Sequence, residues 1–150
     1  MQERFETFTV LINRISRDIR KIKNQEMADY HLRSVHVSCL YYVYSLGSVT
    51  SAELCEHCEE DKATISRAVD YLETNGFLLR DTGAKRYKSP LLLTEKGREA
   101  GKRIAEKIGS ILETISHALT ENERIEFYRC LSTISRSLEA IVQNSEEKEM

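Results

Sequence analysis

Apolar side chains recur every three or four positions over residues 4–23, at Phe5, Phe8, Ile12, Ile15, Ile19 and Ile22. That spacing predicts a helix with one apolar stripe, with Arg14, Arg17, Arg20 and Lys21 mostly off it. Residues 34–46, SVHVSCLYYVYSL, are too apolar for a surface helix and end at Gly47. They predict a buried helix with the glycine near its C-terminus. A short helix is expected from Ser51 to about Cys58. Asp61 then caps a helix over roughly 62–75, in which Ile65, Ala68, Val69 and Leu72 form the inward stripe and Asn75-Gly76 ends it.

The period then changes. FLLRDTGAKRYKSPLLLT holds two short apolar runs around a basic loop that contains glycine, which predicts a hairpin. Pro90 fits there only at an edge or a strand start. Thr94 opens a long helix with Ile104, Ile108, Ile111, Leu112, Ile115 and Leu119 as its stripe. Thr120-x-x-Glu123 is a capping box for a last helix, whose stripe is Ile125, Tyr128, Leu131, Ile134, Leu138 and Ile141. The tail NSEEKEM is expected to fray.

These elements predict a mostly α fold: a winged helix-turn-helix with a β-hairpin wing, flanked by long terminal helices. One domain, 1–150, is expected, with the winged helix over about 34–93 and dimerisation helices over about 4–23 and 95–143. The terminal stripes exceed what so small a centre can cover, so a homodimer is expected.

Composition narrows this only a little. Six glycines and one proline favour long helices, and 41% hydrophobic with 31% charged residues suits a soluble globular chain. MQERFETF has no apolar core of a signal peptide, and no apolar run reaches the ~18–20 residues of a membrane span. A cytoplasmic, nucleoid-associated protein with no membrane partner is expected, its four cysteines (Cys39, Cys55, Cys58, Cys130) reduced. The net charge of −2 argues against a polyanion partner, but its distribution argues for one. Residues 62–103 sum to +5, whereas 1–61 sum to −3 and 104–150 to −4.

Two stretches carry a resemblance. Lys62-Ala63-Thr64-Ile65-Ser66-Arg67, followed by AVDYLETNG, and Leu93-Thr94-Glu95-Lys96-Gly97 after the wing are similar to the recognition helix and wing end of the MarR family of bacterial winged-helix transcription regulators. The resemblance covers nearly the whole chain. It implies a dimeric regulator, here expected to be a repressor on a pseudo-palindromic operator, of a kind often released by a small ligand or by oxidation. Two positions depart from the pattern. Ala84 stands where the family's wing usually carries an acid two residues before Arg86, and Asp61 stands where serine is common.

Candidate contacts to double-stranded DNA follow from residue type and position. Lys62, Ala63, Thr64, Ser66, Arg67 and Asp70 lie off the apolar stripe of the 62–75 helix, most of them near its N-terminal end, where recognition helices meet base edges. Arg67 suits guanine O6/N7 or a phosphate; the hydroxyls suit either. In the wing, Lys85, Arg86 and Lys88 surround Tyr87, a combination suited to a narrow, negative minor groove. The bland alternatives are a solvated helix face and a loop kept soluble by its charges.

Cys55-x-x-Cys58, with His57 between, invites a metal or redox reading. A structural zinc site needs four ligands, and no second pair follows, so no metal is expected. Both thiols are expected on the inward face, buried as small hydrophobes, with their pKa raised by burial and by Glu53, Glu56, Glu59, Glu60 and Asp61. Tyr30, His36, Tyr41 and Tyr44 are the candidate effector-binding residues, at the place the resemblance implies; packing under a dimer is the competing account. No nucleophile elbow, phosphate loop or carboxylate pair is present, so neither an enzyme nor a cofactor is expected. A metal- or thiol-sensing regulator of the same fold, and a winged helix used only for protein contacts, remain as alternatives.

Overall fold

The computed structural model describes residues 2–80 and 88–150, leaving aside the side chains of Gln2, Glu3 and Phe5. The chain divides into two compact units, Met1–Lys107 and Ile108–Met150.

In the first unit, α1 runs over Gln2–Glu26 and leads through a 3-10 turn at Ala28–Tyr30 into α2, Ser34–Leu46. Gly47 ends α2 at φ +83°, a conformation glycine adopts without Cβ strain. Thr50 caps α3 (Ser51–Cys58), its Oγ1 accepting from the Glu53 N–H at 3.2 Å while the Glu53 carboxylate accepts from the Thr50 N–H at 2.8 Å. Asp61 caps α4 (Lys62–Thr74), accepting from the Thr64 N–H at 2.7 Å. Two three-residue strands, β1 (Leu78–Arg80) and β2 (Leu91–Leu93), pair antiparallel with Leu79 opposite Leu92. A further bridge joins Val49 to Leu91. Pro90 immediately precedes β2, where its missing N–H costs no ladder bond.

The core of this unit is continuous. Leu40 and Val43 of α2, Leu54 of α3, Ile65 and Leu72 of α4, Phe77, Leu78 and Leu91 of the wing base and Ile104 of α5 are all buried. All four positions of the expected α4 stripe, Ile65, Ala68, Val69 and Leu72, are buried. In α2 only one face, Val37, Cys39, Leu40 and Val43, is fully buried. The helix is less enclosed than its composition predicts.

The long helix α5 (Glu95–Ala118) begins in the first unit, and α6 (Glu121–Glu149) lies in the second. Thr120 and Glu123 form the expected capping box. Contrary to the sequence expectation, the NSEEKE tail is helical to Glu149. Its Glu and Lys are good helix formers, which outweigh the absence of apolar positions.

Candidate nucleic-acid interface

The helix-turn-helix is α3, a short turn and α4. The turn is tight: Glu59 lies in the left-handed region at φ +51°, and its N–H donates back to α3 carbonyls. Burying the α4 stripe leaves the other face outward. Lys62, Ala63 and Arg67 are exposed, and Thr64 and Ser66 are half-buried. The Arg67 guanidinium reaches the Thr64 hydroxyl at 3.5 Å. The Asp61 carboxyl is held below the usual carboxylate range by the Thr64 N–H, so the cap is an anion beside this face.

Asp70, named from sequence as a DNA contact, has its carboxylate 3.6 Å from the Arg80 guanidinium. Arg80 also pairs with Glu73. The two acids of α4 thus hold the first strand of the wing, and Arg80, which sequence reasoning passed over, is the residue that ties the two elements together. At the wing, Lys88 is exposed next to the buried Ser89. The expected contacts Lys85, Arg86 and Tyr87, and the departure at Ala84, lie outside the described residues.

The end of α4 is bolted to α5 by the Leu93–Gly97 motif. The Thr94 hydroxyl donates to the Gly76 carbonyl at 2.6 Å and accepts from the Gly97 N–H at 3.0 Å. Lys96 donates to the Asn75 carbonyl at 2.9 Å and sits 4.3 Å from the centroid of the Phe77 ring. A Cβ at Gly97 would lie 2.0 Å from the Phe77 carbonyl oxygen.

The aromatic set expected to hold an effector is spread over several neighbours. Tyr30 meets Phe77 edge-on, Tyr41 meets Tyr42, and Tyr44 packs where a Cβ on Gly101 would fall. His36 stacks on Tyr71 of α4 with centroids 4.4 Å apart, and its Nδ1 accepts the Arg33 N–H at 3.0 Å. Burial, then the Arg33 charge, hold its pKa below the ordinary imidazole value. The Tyr71 hydroxyl donates to the His31 carbonyl at 2.9 Å. An open cleft of about 730 Å³ lies along α1 and α2, lined by Ile12, Ile15 and Ile19 and by Arg20, Lys23, Arg33 and Glu60. None of the four aromatic candidates lines it.

The cysteines differ most from the sequence expectation. Cys55 and Cys58 are half-buried, and it is Cys39 of α2 that is fully enclosed. The buried residues of α3 are Ser51 and Leu54, which leaves Cys55 and Cys58 at the margin of the packed face. The Cys58 thiol is hydrogen-bonded to Cys39, which lowers its pKa against the opposing effect of burial, and Lys23 lowers it further. The expected rise from the surrounding acids is therefore overturned at Cys58, where only Glu60 and burial act in that direction. Among the described residues no cluster of His, Cys, Asp and Glu could hold a metal ion. Nor is any helix long and apolar enough to cross a membrane.

Comparison with known proteins adds similarities to this geometry. Residues 32–83, from the start of α2 into the wing, match the MarR family. That segment, about a third of the chain, is what resembles the family. An uncharacterized HTH-type transcriptional regulator, YwoH of Bacillus subtilis (strain 168), is 27% identical over 97 residues, covering 65% of this chain and 71% of that protein. The MarR family regulator NMB1585 from Neisseria meningitidis has the same fold, with a TM-score of 0.81 at 19% identity, over 95% of this chain and 98% of that one. MepR of S. aureus in complex with DNA superposes with a TM-score of 0.77 at 18% identity, over 87% of this chain and 97% of that one.

Proposed function

We propose that this chain is a MarR-type transcription regulator, a homodimer that binds double-stranded DNA sequence-specifically and represses transcription from a pseudo-palindromic operator. The observation that carries the reading is α4. Its apolar stripe is wholly buried, and Lys62, Ala63, Thr64, Ser66 and Arg67 cluster at its N-terminal end on the side away from the core. That arrangement suits insertion into the major groove, with Arg67 reading a base edge. Lys85, Arg86, Tyr87 and Lys88 of the wing are assigned to the adjacent minor groove. MepR, of the same fold, is described in complex with DNA, which supports the assignment.

Release by a small effector is part of the same reading. The cleft along α1 and α2 combines an apolar floor with Arg20, Lys23 and Arg33 and suits an amphipathic anion. Arg33 touches His36, and His36 stacks on Tyr71 of α4, so an occupant that moved Arg33 would act on the recognition helix. Of the aromatic candidates, His36 is thus the one with a route to DNA affinity; Tyr30, Tyr41 and Tyr44 are assigned supporting contacts.

The test is binding to duplex DNA across a salt series. Arg67→Ala is expected to weaken the best operator by ~1–3 kcal/mol and relax preference at one position per half-site. Arg86→Ala is expected to weaken binding to most sequences and reduce the salt slope by about 1. Unchanged affinity in both variants would refute the assignment of α4 and the wing.

A further inference from the structure

The connection from α1 to α2 is short and strained. It turns through Ala28–Tyr30 and then through His31, which lies in the left-handed region at φ +58° although it carries a Cβ. A residue with a side chain keeps such a conformation only where its surroundings over-determine it. Within the turn the N–H groups of Tyr30 and Leu32 donate to the Met27 carbonyl, and that of His31 donates to the Ala28 carbonyl. Met27 and Leu32 are buried and pin the turn to the core.

Two long side chains hold this turn from other elements. Tyr71 of α4 donates its hydroxyl to the His31 carbonyl at 2.9 Å. Arg103 arrives from α5. Its guanidinium donates to the Glu26 carbonyl at 3.1 Å, lies 3.6 Å from the Glu26 carboxylate and 3.7 Å from that of Asp29, and stands 5.8 Å from the centroid of the Tyr30 ring. The Glu26 carbonyl belongs to the last turn of α1, where carbonyls lack helical partners and a cation is favourable. Asp29 is largely exposed, so its ion pair alone contributes little. The planar fork of Arg103 adds a fixed geometry against a carbonyl, a carboxylate and a ring at once. All of these groups lie within the Met1–Lys107 unit.

The start of α5 is a firm base for that hold. A Cβ on Gly97 would lie 2.0 Å from the Phe77 carbonyl oxygen, and one on Gly101 would lie 2.8 Å from the Tyr44 Cβ of α2. Ile104, next to Arg103, is buried. This part of α5 is therefore seated directly on the winged helix.

We infer that Arg103 and Tyr71 are positioning residues: from α5 and α4 they grip the 26–31 turn, fix the angle between α1 and the recognition helix, and so set the half-site spacing that the protein accepts. The spacing half of this inference rests on the dimeric DNA-binding reading above; the grip on the turn does not.

The consequence for DNA is geometric. α1 carries one of the stripes assigned to the dimer, so its direction relative to α4 decides where the second copy of α4 lies. A two-fold axis doubles any tilt between the two helices. Each base pair added between half-sites turns them by about 35° and separates them by about 3.4 Å, so a small tilt changes which spacing fits. The Asn24 side chain accepts the Ser34 N–H at 2.7 Å and ties α1 to α2. Arg103 and Tyr71 extend that tie to α5 and to the recognition helix itself.

The experiment measures the affinity of the full chain for duplexes that carry the two half-sites at the best spacing and at one base pair more or fewer. Arg103→Gln and Tyr71→Phe are each expected to lower the ratio of best to displaced affinity by about five-fold or more, with the half-site sequence preference unchanged. Tyr71→Phe keeps the ring and removes only the hydroxyl. Arg103→Lys, which keeps the cation but not the fork, takes the place of Arg103→Gln if that variant does not fold. Affinity lowered equally at every spacing, with the ratio intact, overturns the positioning role of the residue concerned. The second measurement is amide hydrogen exchange without DNA. The N–H groups of Tyr30, His31 and Leu32 are expected to exchange about ten-fold faster in either variant, and those of α4 at the wild-type rate. Unchanged exchange in the turn overturns the grip. A wild-type protein that binds no duplex, or binds all spacings alike, refutes the dimeric DNA-binding reading, while exchange still decides the grip.

Discussion

At the scale of the residue, the Leu93–Gly97 motif shows how a short match in sequence becomes a physical constraint. Thr94, Lys96 and Gly97 each hold a different backbone group at the end of α4 or the start of β1. Gly97 is required by closeness rather than by its backbone conformation. Alanine there would gain up to about 1 kcal/mol of helix propensity, but its Cβ would meet a backbone oxygen already accepting from the Thr94 N–H at 3.1 Å. Overpacking of this kind costs about 1–3 kcal/mol and occasionally more, so the clash outweighs the propensity. Gly97→Ala is expected to lower the urea midpoint without changing the slope, whereas Gly109→Ala, where a Cβ meets nothing within 4 Å, is expected to raise it. The α4 stripe was legible because a local period decides which side chains turn inward. The cysteines were not, because no spacing within the chain announces that Cys39 meets Cys58; only the packing of α2 on α3 makes the pair.

At the scale of the element, helix starts were the most legible feature, because a cap is settled within four residues. Asp61 and the Thr120–Glu123 box were read from sequence and found in place. The end of α6 was misjudged because a polar tail gives no stripe to follow. The wing was legible as a hairpin, but the Asp70, Glu73 and Arg80 ion pairs depend on how β1 meets α4 and had no sequence signal. The caps also give a pH dependence. The carboxyl groups of Asp61 and Glu123 are held below their ordinary values by the N–H groups of Thr64 and Thr120. Folded pKa values below the unfolded ones contribute stability that is present above the ordinary carboxylate range and lost as pH falls through the folded values. Asn also caps well but does not titrate. Asp61→Asn is therefore expected to be nearly neutral at pH 7 and to lose less stability than the wild type below pH about 4, read from denaturation midpoints over a pH series. Identical acid profiles for the two proteins would remove the Asp61 cap from the account.

At the scale of the whole molecule, both units leave apolar side chains outside. Val10, Leu11, Ile15 and Ile19 of α1 are about half exposed in the single chain, as are Leu112, Ile115, Ile125, Leu138 and Ile141 of α5 and α6. Each of these helices leaves its own stripe open, and exposed apolar stripes of this kind mark interaction surfaces. A second copy of the chain is the proposed cover. Light scattering at micromolar concentration is expected to return twice the 17.3 kDa of the chain, and a monodisperse species at 17.3 kDa would contradict the proposal. Two-fold symmetry then constrains the DNA. In the proposed dimer, two copies of α4 related by that axis would enter successive major grooves on one face of the duplex, with half-site centres ~10–10.5 bp apart. Inserting about five base pairs between the half-sites turns one of them to the opposite face, and a dimer joined through long helices cannot follow it. The affinity of such an operator is expected to fall toward the non-specific level, while about ten inserted base pairs restore the facing but not the distance. An operator indifferent to the five-base-pair insertion would mean that each chain reads its half-site independently, and the dimer would have no part in recognition.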